Sequence, residues 1–428
     1  MSAQPGYLAV CYKIPGSVIC LFRVLLSRGC IYVSTNILQI LISISNFILM
    51  TIQLVIYNVI CVSFFLLALV SFFNPTKLNI TANRWFGLFM FSAGCMVLNA
   101  IIYKAGAEAQ YTHLIIFNEL SRFIIAPALY LSILHFTSPD KVLKRREYLH
   151  FIPFGLFAGY ITALNTGHQF FHLPAMVERV LALLMAVAVQ AQLLIYWVLA
   201  WAKLNRHQKN IRLINSNTEA VDLNWLRYLL IGIAVIIVTW FAAQMLQMHW
   251  VTAVTAGLYL AGTLFMGYFL LAQKEVYPFD EPELEEIAEV IKPESKPLKK
   301  RLTPEQSAQL KTQLEHLMQT EKVYLDNELS LPQLAKEMGI STHDLSYLLN
   351  DVIGISFFQF VNTYRVEEAK QLMLSEKHRH LNLLGIAFSA GFNSKTTFNT
   401  AFKKETGLSP SEFMRGKGSL SIDVSVQA

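Results

Sequence analysis

The hydrophobic pattern divides the chain into two parts. Residues 52–272 consist of long apolar runs separated by short polar loops, whereas residues 303–416 alternate apolar and polar positions at helical spacing. A helix needs about 20 mainly apolar residues to cross the hydrocarbon core of a bilayer. The runs therefore predict seven membrane spans, at residues 52–73, 85–103, 114–136, 149–164, 180–201, 226–246 and 251–272, of which the fourth is short and rich in glycine.

Positive charge in the loops predicts how these spans are oriented. Loops one, three and five contain ten lysine and arginine residues when Arg84 at a helix edge is counted, and loops two, four and six contain two. Cytoplasmic loops carry the excess of lysine and arginine. We therefore expect a multi-pass membrane protein, with the odd loops and the chain after residue 272 in the cytoplasm.

Composition agrees with this division. Hydrophobic residues make up 54% of the chain and charged residues only 15%, whereas a soluble domain carries about 25% charged residues. This balance excludes a purely cytosolic enzyme. All five cysteines lie in the apolar part and form no C-x-x-C pair, so neither a disulfide framework nor a zinc site is expected.

The first 49 residues form an N-terminal extension with two interpretations. The stretch at residues 31–49 is apolar enough for an eighth span, but residues 49–53 offer no turn residue that would reverse the chain. Met50 precedes the first clear span. We favour translation starting at Met50 and keep an eighth span as the alternative.

A polar linker is predicted at residues 274–302. It contains four prolines, seven acidic residues between Glu275 and Glu289, and then a basic run up to Arg301. This composition is typical of a solvated, semi-stiff tether. Contact of the basic run with anionic lipid is the alternative to a plain linker. A soluble domain at 303–417 and a disordered tail at 418–428 are expected to follow.

An internal repeat is the most informative feature of the soluble part. Five positions of the first copy recur 52 residues later, and after one inserted residue five more recur at an offset of 53. The first copy contains Leu331, Leu334, Ala335, Met338, Gly339, Ser341, Leu345, Leu349, Gly354 and Ser356, and the second contains Leu383, Ile386, Ala387, Ala390, Gly391, Ser394, Phe398, Phe402, Gly407 and Ser409.

Each copy predicts a helix-turn-helix unit. A short amphipathic helix is followed by a glycine that permits a turn, and a serine then caps a second helix whose apolar residues pack back on the first. A longer helix between the copies, from Phe357 to Met373, would join them rigidly. Two such units can present their second helices to successive major grooves, about 34–36 Å apart. The alternative is a helical bundle without a ligand.

The two repeat copies and the helix between them resemble the AraC/XylS-type transcription regulators. The resemblance covers residues 329–415 and is stronger in the second copy, which is similar to the family signature at Ile386-Ala387, Gly391-Phe392, Phe398, Phe402-Lys403-Lys404, Gly407, Pro410, Phe413 and Arg415. The segment from Tyr364 to Lys370 also resembles the linker helix of the family. The resemblance implies sequence-specific binding of duplex DNA and control of transcription.

Site residues follow from the resemblance, position by position. It implies base-facing side chains at Thr342, His343, Ser346 and Tyr347 in the first recognition helix, and at Lys395, Thr396, Thr397, Asn399 and Thr400 in the second. Lys403 and Lys404 are better placed for phosphate. The Asn399 amide can pair with adenine, and threonine methyl groups can contact thymine. The alternative for each residue is a solvated helix face.

Two departures weaken the expected DNA binding. Tyr347 and Thr400 stand where the family commonly carries arginine, and Asn350 where it commonly carries lysine. Residues 320–417 contain 11 basic and 11 acidic residues, although phosphate neutralisation provides most non-specific affinity. We therefore predict weak, salt-sensitive binding in which the second unit, with Lys395, Lys403, Lys404 and Arg415, dominates.

The membrane part shows no catalytic motif. There is no Ser/His/Asp order, no phosphate-binding glycine loop and no H-E-x-x-H sequence, so we expect no enzyme, no cofactor and no metal. Glu119 and Arg122 lie three residues apart within the third predicted span. Ionisable groups at that depth are costly and are functional candidates by default. A structural ion pair is the equally plausible alternative to signal sensing.

The working hypothesis is a membrane-bound sensor and transcription regulator. The expected fold is all-α, with a transmembrane bundle of about seven spans followed by a soluble helical domain. The expected partners are duplex DNA, membrane lipid, RNA polymerase, a second copy in a homodimer, and a ligand or membrane signal that the sequence does not name. The alternative function is a membrane receptor or transporter whose helix-turn-helix domain docks a protein.

Overall fold

A computed structural model describes residues 13–14, 17–18, 35–139, 144–167, 174–219, 221–246, 249–291 and 302–416. The chain divides into two compact units, Met1–Ile52 and Gln53–Ala428. In the first unit, a short antiparallel pair joins Lys13–Ile14 with Ser17–Val18. Most of the N-terminal extension, the basic run at 292–301 and the tail at 418–428 lie outside the described residues.

The apolar part consists of eight helices within the described residues, as the sequence predicts for an all-α bundle. They are α1 (Thr35–Phe73), α2 (Ile80–Lys104), α3 (Thr112–Leu120), α4 (Arg122–Phe136), α5 (Ile152–Gly167), α6 (Ala175–Ile214), α7 (Asn224–Leu246) and α8 (His249–Ala272). Helix α1 runs through Met50 without interruption.

Six stretches of the described residues are long and apolar enough to cross a membrane. They are Thr51–Phe73, Ile80–Lys104, Thr112–Phe136, Met176–Ile214, Asn224–Ala242 and Ala253–Ala272. The fourth predicted span, 149–164, is helical but differs from the others. It begins as a 3₁₀ turn, Arg145–Phe151, and continues as α5, which has only 16 residues. Six helical stretches of spanning length and one shorter helix thus lie where the sequence predicts seven spans.

The bundle packs around aromatic side chains at one end. Trp225 at the start of α7 makes edge-on contacts with Phe86 of α2 and Phe136 of α4, and it stacks on Phe269 of α8. Close approach of α1 and α2 depends on Gly87, where an added Cβ would lie 3.0 Å from the carbonyl oxygen of Ala68. Helix α6 continues beyond the predicted span end at residue 201, and Ile211 and Ile214 in its last turn are buried.

The soluble part contributes seven further α-helices to the described portion of the chain. They are α9 (Glu281–Ile291), α10 (Pro304–His316), α11 (Leu331–Met338), α12 (Thr342–Tyr347), α13 (Phe357–Leu374), α14 (Leu383–Ser389) and α15 (Lys395–Thr406). Helix α10 begins with a reciprocal cap, in which Gln306 N–H donates to Thr303 Oγ1 at 3.2 Å and Thr303 N–H donates to Gln306 Oε1 at 2.9 Å. Residues 317–321 and 348–353 extend α10 and α12 as π-helical turns.

The prediction of a solvated tether is wrong for residues 281–291 of the segment 274–302. Residues 281–291 form α9, and Ile287 on this helix is completely buried. Pro282 does not prevent the helix because proline is tolerated in the first turn, where its missing N–H would have no intrahelical partner. Leu284, Ile287 and Ile291 recur at helical spacing and provide the apolar face by which α9 packs.

Candidate nucleic-acid interface

The two copies of the repeat fold as two helix-turn-helix units. In the first, α11 and α12 are joined at Gly339, and in the second, α14 and α15 are joined at Gly391. Both glycines have positive φ, +68° and +87°, a conformation that other residues adopt at a cost. Ser341 Oγ then accepts the N–H of Asp344, and Ser394 Oγ accepts that of Thr397, each at 3.1 Å.

Helix α13 joins the two units because each half of it is buried in a different core. Its N-terminal residues Phe357, Phe360 and Val361 belong to the apolar cluster that contains the first unit. Its C-terminal residues Val366, Ala369 and Met373 pack in the second cluster with Phe398 and Phe402. This burial fixes the two units at a defined separation.

Helix α15 presents a polar face to solvent. Its buried side is apolar and consists of Phe398, Ala401 and Phe402. The opposite side carries the residues predicted for DNA, of which Lys395, Thr396, Asn399, Thr400, Lys403 and Lys404 are exposed. Thr397 is half-buried, and its Oγ1 accepts the hydroxyl of the capping Ser394 at 3.1 Å. The second recognition helix is therefore accessible along its length.

Helix α12 is less exposed than α15. The four predicted residues lie together on this helix, but Thr342 is only 3% exposed, and His343, Ser346 and Tyr347 are half-buried. Helix α9 lies against the first turn, where Thr342 N–H donates to Glu286 Oε2 at 3.2 Å. Asn350 donates to the carbonyl oxygen and the hydroxyl of Ser346, at 3.0 and 3.1 Å.

The part of the chain that contains the two helix-turn-helix units is similar to known proteins. Residues 334–416 match the family model described as "Helix-turn-helix domain". The HTH-type transcriptional regulator ExsA of Pseudomonas aeruginosa is 31% identical over 97 residues, which cover 23% of this chain and 34% of that protein. The arabinose operon regulatory protein of Escherichia coli is 29% identical over 102 residues, 24% of this chain and 34% of that protein.

Residues 334–416 form an AraC-type helix-turn-helix domain. The chain spans about a third of the length of these two relatives. By name, the first relative is a transcriptional regulator and the second an operon regulatory protein. The family model begins at residue 334, after the apolar helices. No solved structure matches the chain significantly.

Charge on the AraC-type domain is uneven. On α15, Lys403 and Lys404 occupy the last turn beside Glu405, whose Oε1 accepts the hydroxyl of Thr363 at 3.2 Å. Glu412 Oε2 accepts the N–H of Ser409 at 2.7 Å, and hydrogen bonds from the Ser409 side chain and backbone lower the pKa of this carboxyl group. Glu412 therefore stays ionised and offsets part of the positive charge nearby.

The AraC-type domain is attached to the end of α6 by a buried arginine. Arg365 of α13 is 1% exposed and donates through Nη2 to the hydroxyl of Ser216 at 3.0 Å. Asn362 donates to the carbonyl oxygen of Ser216 at 3.2 Å, and Ser216 Oγ donates to that of Leu329 at 2.6 Å. Sequence reasoning missed this contact, because an arginine in a helix is almost never fully buried unless it is paired.

Glu119 and Arg122 form an ion pair beside a break in the third span. Ser121 separates α3 from α4, and Arg122 Nη2 donates to Glu119 Oε1 at 2.9 Å. Asn99 of α2 also donates to Glu119 Oε1, at 3.0 Å, and accepts from Asn118 at 2.8 Å. The side chain of Glu119 is 24% exposed and that of Arg122 46% exposed. The pair thus belongs to a polar network between α2 and the α3–α4 break.

Proposed function

We propose that this protein is a membrane-bound bacterial transcription regulator that binds specific duplex DNA through its AraC-type domain. The observation that carries the proposal is the exposed polar face of α15, with Lys395 and Asn399 in its first half and Lys403 and Lys404 in its last turn. Such a face suits base edges and phosphates. A face that docks a protein would be apolar at its centre, which argues against the receptor or transporter alternative.

In this proposal the apolar helices hold the protein in the inner membrane and respond to a signal. Two observations support a sensing role: the polar network of Glu119 and Arg122 at the break in the third span, and the continuous helix α6, whose end contacts Arg365 through Ser216. A signal that shifts the packing around the network would reach the AraC-type domain through α6. A signal can shift this packing only if it binds one arrangement of the helices more tightly than the other.

The proposal predicts the outcome of genome-wide DNA crosslinking with the tagged full-length protein. We expect discrete peaks that disappear in the double variant Lys395→Ala/Asn399→Ala, because each base pair contacted by a good side-chain pair provides about 1–3 kcal/mol of discrimination. The matched control is Gln309→Ala/Lys311→Ala, which removes one amide and one charge from exposed positions of α10. Peaks that survive unchanged in the first double variant would argue against α15 as the reading helix.

Lys403 and Lys404 are predicted to contribute affinity without specificity. With a labelled duplex from the strongest crosslinking peak, Lys403→Ala/Lys404→Ala should weaken binding to specific and scrambled sequences alike. The slope of log K against log salt should become shallower by about 0.9 for each phosphate that the variant no longer neutralises. Lys311→Ala/Lys377→Ala removes the same charge from exposed positions outside α12 and α15 and should leave the slope unchanged. A slope unaffected by the first pair would remove these lysines from the interface.

RNA polymerase and a second copy of the chain are further expected partners. Regulation of transcription requires an effect on polymerase, and a homodimer would present two AraC-type domains to one stretch of DNA. Tethering in the same membrane raises the local concentration of the second copy, which compensates for the zero net charge of residues 320–417.

A further inference from the structure

Helix α9 is an acidic helix that lies on the first recognition helix. Of its 11 residues, five are glutamates, at positions 281, 283, 285, 286 and 289. Its apolar side is fixed by Ile287, which is completely buried, and by the partly buried Leu284 and Ile291. An isolated helix of 11 residues is only marginally stable in water, so α9 is stabilised mainly by the packing of this apolar side.

Two glutamates of α9 contact α12 directly. Glu286 Oε2 accepts the N–H of Thr342 at 3.2 Å, and Glu289 Oε2 lies 3.7 Å from Nε2 of His343. Thr342 and His343 are the first two residues of α12, at the end from which a recognition helix enters the major groove. The carboxylates therefore hold negative charge at the position that DNA must approach.

We propose that α9 is an autoinhibitory element that DNA must displace before the first helix-turn-helix unit can bind. This inference rests on the proposed function. Duplex DNA carries one negative charge per about 1.7 Å of its axis, so a helix with five glutamates repels DNA and blocks the first turn of α12, where Thr342 and His343 lie. In this state α15 is open while the first turn of α12 is blocked, and the protein is held in a form that binds DNA through one unit.

The attachment of α9 connects this block to the apolar helices. Residues 273–280 lead from α8 to α9, and Val276 and Tyr277 within them are buried. The hydroxyl of Tyr277 donates to the carbonyl oxygen of Thr137 at the end of α4 and lies 3.3 Å from Nδ1 of His207, which lies within α6. Displacement of α8 relative to α4 and α6 would therefore be transmitted to α9.

The test compares two charge-neutralising double variants of the full-length protein in detergent. Glu286→Gln/Glu289→Gln removes the carboxylates that face α12. Glu281→Gln/Glu285→Gln removes the same charge from exposed positions of the same helix. With the duplex from the strongest crosslinking peak, Glu286→Gln/Glu289→Gln should lower the Kd for DNA about tenfold. The control pair should change Kd by less than about twofold, because exposed charges at a distance are largely screened by salt.

A second measurement follows α9 itself by amide hydrogen exchange. Addition of DNA to the unmodified protein should speed exchange at residues 283–291 and slow it at residues 342–347. Equal affinity of all three proteins, or unchanged exchange in α9 on saturation with DNA, would overturn the autoinhibitory role while leaving DNA binding intact. If none of the proteins binds duplex DNA, the proposed function itself fails, and the inference fails with it.

Discussion

Replacing Arg365 with methionine is expected to lower the free energy of unfolding of the AraC-type domain by about 3–5 kcal/mol, since each buried acceptor that loses its donor costs about 1–3 kcal/mol. The guanidinium group donates to the carbonyl oxygens of Tyr324 at 2.8 Å and of Asp326 at 2.6 Å, and also to Ser216. Burial lowers the pKa of Arg365 to about 10, so the group remains charged at neutral pH. Methionine fills the space but donates no hydrogen bond.

Hydrogen exchange of the α13 amides in the full-length protein measures this destabilisation. Arg365→Lys retains a charge but cannot reproduce the planar fork, and it should be intermediate. Ser216→Ala removes a hydroxyl that links Arg365 to Leu329, and it should cost about 1 kcal/mol. Opening free energies in Arg365→Met that equal those of the unmodified protein would show that the buried network contributes nothing.

Gly391→Ala is expected to destabilise the domain by about 2–5 kcal/mol, as the sum of about 1–2 kcal/mol for a left-handed backbone and about 1–3 kcal/mol for overpacking. Its φ is +87°, and an added Cβ would lie 2.5 Å from the carbonyl oxygen of Tyr324 and 2.9 Å from Cα of Leu325. The Tyr324 carbonyl cannot move away freely, because it also accepts from Arg365 at 2.8 Å.

Gly339 provides the matched control because it occupies the same position in the first unit. Its φ is +68°, and no atom of the described chain beyond its neighbours lies within 4 Å of an added Cβ. Gly339→Ala should therefore cost only the backbone strain, about 1–2 kcal/mol. The measurement is hydrogen exchange at α11 and α14 in the two variants. Equal destabilisation would mean that the close approach of Gly391 to Tyr324 has no energetic consequence.

Local residue chemistry was sufficient to predict the repeated units. Ser341 and Ser394 cap their helices, Thr303 and Gln306 form the capping box, and both turn glycines have positive φ. Each of these features depends on a few neighbouring residues, which is why spacing alone indicates them. The assignment of individual base contacts stays a prediction.

The helix α9 shows where sequence interpretation went wrong. Four prolines and a high density of charge indicated a solvated tether, whereas Leu284, Ile287 and Ile291 form an apolar stripe that packs on the domain. An 11-residue helix is marginal on its own, so its existence depends on a surface that is distant in sequence. The stripe was a readable signal, but nothing local showed which surface would cover it.

The sequence by itself determined the apolar helices, the two helix-turn-helix units and the polar face of α15, because these follow from hydrophobic periodicity and from caps and turns within a few residues. Only the tertiary structure decided that Arg365 is buried against Ser216, that Gly391 abuts Tyr324, and that Glu286 and Glu289 cover the start of α12. These contacts join residues up to 149 positions apart. Their formation depends on how whole helices pack, which no short stretch of residues specifies.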